Sequence, residues 1–129
     1  MKGLLAVILF VMSFMPGAAY SAAFDSPNIC KAVISTVMSQ SPKIIKINRV
    51  TNGVVFLSYK RPSDGKYWAQ KCKIVGSKVI WGSAEGRWRD DPQDSVIHFS
   101  MSKDKKRITI QEAHSDGSGS VKSFHEGQI

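Results

Sequence analysis

Apolar positions follow three regimes along this chain. From Gly3 to Met15 (GLLAVILFVMSFM) they run almost without a break. Between Ile29 and Met38 they recur every three to four residues, and beyond Pro42 they alternate with polar ones. Each regime predicts a different element.

The first run follows Lys2, the only charge before Asp25, and has the length of a signal-peptide apolar core. It falls short of the roughly 20 apolar residues a membrane span needs. Pro16 and Gly17 break it, and small residues from Ala18 to Ala23 offer cleavage after Ser21 or after Ala23. Taking the second, residues 1–23 are a signal peptide and residues 24–129 form one globular domain with no transmembrane span. No Cys stands directly after either cleavage point, so an N-terminal lipid anchor has no attachment point.

The second regime predicts an amphipathic helix over 27–40. Ser26 reads as its N-cap and Pro27 as its first helical residue, where the missing N–H costs nothing. Ile29, Cys30, Val33, Ile34, Val37 and Met38 form one stripe, opposite Asn28, Lys31, Ser35 and Ser39. Pro42 biases Ser41 away from helical geometry and ends the element near Gln40.

In the third regime, strands are expected at 43–50, 54–61, 66–75, 78–81, 95–101, 107–113 and 120–125. Thr51-Asn52-Gly53 and Ser63-Asp64-Gly65 carry the pairs that type I′ hairpins favour. Gly76-Ser77, Lys103-Asp104 and Asp116-Gly117-Ser118-Gly119 mark further turns. Such short connections leave no room for crossover helices, so the sheet, covering 43–125, is an antiparallel meander. The expected fold is therefore α+β: one N-terminal amphipathic helix packed on a strongly twisted antiparallel meander of about six or seven strands, as a half-barrel or small barrel. Alternation puts Trp68, Gln70, Cys72 and Ile74 on the inner face, opposite Tyr67, Ala69, Lys71 and Lys73. Cys30 on the helix stripe and Cys72 inside the sheet are the only cysteines, and in an oxidising compartment they should pair across the core. Ile97, Phe99, Met101, Ile108, Ile110 and Phe124 are the expected core partners.

Charge narrows the partner. Removal of residues 1–23 leaves 17 basic residues against 10 acidic ones, a net charge of +7 that favours anionic ligands. The catalytic signatures Gly-x-Ser-x-Gly and His-Glu-x-x-His are absent from the sequence, as is a phosphate loop. His98, His114 and His125 match no metal spacing, and His98 alternates with Ile97 and Phe99 onto the solvent side. Asp90, Asp91 and Asp94 cluster in the irregular segment 82–94, where Arg87 and Arg89 make ion pairs the better reading. No catalytic residue, metal ligand or cofactor is therefore assigned.

Two binding surfaces stand out. Arg87-Trp88-Arg89 places an indole between two guanidinium groups in the longest loop, as an anchor for a partner or as a plug over the open end of the sheet. Tyr59, Arg61, Tyr67, Lys71 and Lys73, taken as outward-facing, interleave cations with rings. The expectation is a small exported, non-enzymatic binding module, periplasmic in a Gram-negative bacterium. Its partner would be an anionic envelope component, such as lipopolysaccharide or anionic lipid, or an acidic protein, and nucleic acid is disfavoured by export. The rivals are an exported inhibitor or immunity factor presenting the Trp88 loop and, last, a small hydrolase using Asp91, Asp94 or a histidine.

Overall fold

Helix α1 (Ser26–Met38) lies across a seven-stranded sheet in the computed structural model, which describes residues 24–129. The expected signal peptide falls outside these residues. The N-cap is Asp25, one residue earlier than expected: its carboxylate accepts the Asn28 N–H at 3.1 Å, and Pro27 sits in the first turn. The helix ends at Met38, because Ser39 turns left-handed and sends its N–H back to the carbonyls of Ser35 and Thr36. Ser35, expected on the outer side, is buried. Its hydroxyl donates to the Gln40 carbonyl at 2.5 Å, so the buried polar atom is satisfied.

After a single 3₁₀ turn (Pro42–Ile44) come β1 (Lys46–Thr51), β2 (Val54–Lys60), β3 (Tyr67–Val75), β4 (Lys78–Ser83), β5 (Val96–Met101), β6 (Arg107–Ala113) and β7 (Gly119–His125). All neighbours pair antiparallel in chain order, as the short turns require. The sheet is open, with β1 and β7 as its two edges, so the small-barrel alternative is set aside. Asn52 and Gly53 both take positive φ, as a type I′ hairpin demands. The next hairpin is different. Asp64 keeps negative φ and accepts from the Arg61 guanidinium and the Lys66 N–H, giving a longer loop in which only Gly65 is left-handed.

The inner face meets α1 in one core. Cys30 and Cys72 form a disulfide with Cα atoms 5.8 Å apart, joining helix to sheet. Val33, Ile34, Val55, Leu57, Ile97, Ile108, Ile110 and Phe124 are buried around it, and Phe99 and Met101 pack against its margin. Trp68 shares the inner register through its pairing with Tyr59, but it sits at the sheet's end, over a third exposed, with Arg61 stacked 4.8 Å from its ring. No helix among the described residues is long and apolar enough to cross a membrane.

Between β4 and β5 the sheet splits. Only Lys78↔His98 and Val79↔Ile97 pair, and the strands then diverge. The long segment 84–95 fills that gap and brings the loop tryptophan to the strand lysines.

Candidate functional site

Positive charge is unevenly distributed. Between Lys43 and Ala84 there are nine Lys and Arg residues and one carboxylate, Asp64. Cross-strand register shows where the strand cations go: Lys46, Arg49, Lys60, Lys71, Lys73 and Lys78 all occupy outward positions on β1–β4. The same four strands contain no Asp or Glu. Inward positions are filled by uncharged residues because α1 covers them, so burial sorts the charge onto one face.

Rings are interleaved with these cations. The Arg49 guanidinium lies 4.1 Å over Phe56, its cross-strand partner. Phe56 faces Lys71 on its other side, and Lys71 in turn faces Gly82 on β4. A methyl group at Gly82 would overlap the Arg87 carbonyl oxygen, so the bare glycine is what lets the loop backbone lie down on the sheet. Arg89 then donates its N–H to the Trp81 carbonyl at 2.9 Å, occupying the β4 edge that β5 has left. Between these two anchors Trp88 rests on the outer face, its ring 4.5 Å from the Lys71 ammonium and 4.3 Å from that of Lys73. Trp88 is half-buried against cations and is no core plug.

The loop is held together by one ion-pair clamp. Arg87 donates Nη1 and Nη2 to the two carboxylate oxygens of Asp94 at 2.7 and 2.9 Å, with Asp91 farther off at 3.4 Å. Asp94 also accepts the Asp91 N–H. The Arg87 hydrogen bonds draw the Asp94 carboxyl down from 3.8 to about 2. Such a group is ionised throughout the physiological range, which suits a clamp and does not suit a proton donor. A folded-state value below the unfolded one means that the clamp's contribution is complete above pH ~4 and disappears as pH falls toward ~2. Amide exchange of residues 84–95, corrected for the intrinsic rate at each pH, should therefore be unchanged from pH 7 to about 4 and should accelerate below it. Asp94→Asn should accelerate that exchange already at pH 7. Exchange that stays slow at pH 2 after the same correction would show that the clamp is not what holds the loop.

The expected site residues divide. Tyr67, Lys71 and Lys73 face outward, with Tyr67 75% exposed, and Trp88 joins the two lysines. Tyr59, expected outward, points inward and is only 2% exposed, and burial raises its phenol pKa. Arg61 shares its parity and is occupied by Asp64 and Trp68. Arg87 is committed to Asp94, and Arg89 stacks 4.8 Å over Trp81. Sequence reasoning missed Arg49, Phe56 and Gly82. The available signal was the long stretch between Lys43 and Ala84 with a single acid, combined with an alternation that must send one set of residues outward.

Comparison with known proteins finds no match. No family model, no curated protein and no solved structure is recognisably similar to this chain.

Elsewhere, the Ser95 hydroxyl lies 2.7 Å from His114 Nδ1, at the edge of a cleft of about 200 Å³ that Lys78 and Arg89 also line. No carboxylate among the described residues hydrogen-bonds that ring, so the pair lacks the orienting third member of a hydrolytic triad. Among the described residues no three His, Cys, Asp or Glu side chains converge at metal-binding distance.

Proposed function

We propose that this chain is an exported, non-enzymatic binding module that captures an anionic envelope partner on the outer face of β1–β4. The observation that carries this reading is the sorting of six cations onto one face of four strands that contain no carboxylate, with Trp88 latched among them. Export is supported by the leader pattern of residues 1–23 and by the Cys30–Cys72 bond, which belongs to an oxidising compartment. A net surplus of charge alone raises solubility and needs no partner; acid-free strands whose outward cations have rings fixed against them are a more specific arrangement.

The inhibitor reading requires Trp88 to project into a partner's cleft. Its ring lies against the sheet, which favours one joint surface over a protruding loop.

Retention on a dextran sulfate matrix in a salt gradient tests the proposal. Lys71→Glu/Lys73→Glu should elute at much lower salt than wild type, because fewer ions are displaced on binding. Lys103→Glu/Lys106→Glu makes the same change in net charge at the distant β5–β6 turn and should elute near wild type. Equal shifts for the two variants would mean that net charge alone governs retention, and the site would be abandoned.

A further inference from the structure

The outer face presents two ring–cation contacts and a third pairing of a cation with a ring. Arg49 caps Phe56, Lys60 stands opposite the exposed Tyr67, and Lys71 with Lys73 touches Trp88. Neighbouring strands are about 4.8 Å apart, so β1 to β4 spread these units over roughly 14 Å of open surface. Two clefts border this face, one that includes Lys78 and Ile80 at the β4 side and one that includes Lys46, Ser58, Lys60 and Tyr67 at the β1–β3 end. Phe56 and Trp88 line neither cleft, so a ligand that meets both rings lies along the face between them.

Resting on the anionic-partner reading above, we infer that the partner is a linear acidic polysaccharide. A ring face beside an ammonium complements a sugar unit, which offers a flat C–H surface for the aromatic and a carboxylate at its rim for the cation. Repetition of the unit on the protein matches repetition along the polymer, and each weak contact adds to the others through effective concentration. An acidic polypeptide satisfies the charges but carries its carboxylates on flexible stems, with no rigid apolar face to lie on Trp88 or Phe56. Ring contacts therefore discriminate between two polymers of equal charge.

The experiment compares three probes at low and moderate salt: polygalacturonate, poly-L-glutamate with the same number of carboxylates, and vesicles containing anionic phospholipid. Wild type should bind polygalacturonate roughly tenfold more tightly than polyglutamate, about the value of one well-formed aromatic contact. Trp88→Ala should bring the ratio of polygalacturonate to polyglutamate affinity down toward one while leaving the circular dichroism spectrum unchanged. Phe56→Leu, which keeps an apolar side chain under Arg49, should lower the polygalacturonate affinity more than the polyglutamate affinity. Equal affinity for the two polymers, or a preference for polyglutamate or vesicles, would overturn the polysaccharide assignment and leave the anionic-partner reading standing. Failure to bind any of the three probes at low salt would remove both.

Discussion

Cys30→Ala/Cys72→Ala is expected to lower the melting temperature by roughly 15–30 °C, the largest stability change of any substitution pair considered for this chain. The bond joins residues separated by 42 positions, and both sulfurs are fully buried where α1 meets β3. Closing a loop of that length restricts the unfolded chain by about 4 kcal/mol. A domain of this size has a total stability of only about 5–15 kcal/mol. The two alanines also leave a small cavity in the core, which adds to the loss. Thermal circular dichroism of the two proteins measures the effect. A shift below about 5 °C would mean that helix and sheet hold together without the cross-link.

Gly82→Ala is expected to detach the loop without unfolding the sheet. The added methyl meets a backbone carbonyl oxygen, that of Arg87, and backbone cannot rotate aside as a side chain can. Overpacking of this kind costs about 1–3 kcal/mol, and the strain is relieved most cheaply by lifting segment 84–95. The Arg87–Asp94 clamp lies wholly within that segment and should survive, so the loop moves as a unit and carries Trp88 away from Lys71 and Lys73. Faster amide exchange confined to residues 84–95, with weaker retention on dextran sulfate, is the expected pair of observations. Unchanged exchange and unchanged retention would show that the close approach at Gly82 does not position the tryptophan.

The two predictions probe different levels of the structure. The disulfide concerns whether helix and sheet remain one body, and the glycine concerns whether a surface is assembled on that body. Gly82 acts only through the position of Trp88, so its effect belongs on binding, with melting temperature changing far less than in the cysteine variant.

Much of the fold was legible in local pattern. The turn pairs and the change from a three-to-four-residue repeat to alternation located all seven strands. Their β5 and β6 ranges differ from expectation by at most one residue, 95–101 against Val96–Met101 and 107–113 as observed. The pairing of Cys30 with Cys72 followed from both lying on apolar faces. These features depend on neighbouring residues and on backbone chemistry that a few adjacent positions supply. The N-cap was misplaced because Asp25 and Ser26 are both good caps, and only the direction of the incoming chain chooses between them.

Tertiary structure decided everything that depends on how strands are set against each other. β2 has apolar residues on both parities, Val55, Leu57 and Tyr59 on one and Val54 and Phe56 on the other, so its alternation does not say which set faces the helix. Pairing with β3 through the longer Arg61–Lys66 loop resolves it and buries Tyr59. Whether the meander closes depends on accumulated twist over seven strands, a quantity no single window contains. The site itself needed the parting of β4 from β5, which made room for Arg87, Trp88 and Arg89 to return over Gly82. Local sequence thus determined the elements and their turns, because those energies act over a few residues, while cross-strand register and the split sheet brought a distant tryptophan onto the lysines.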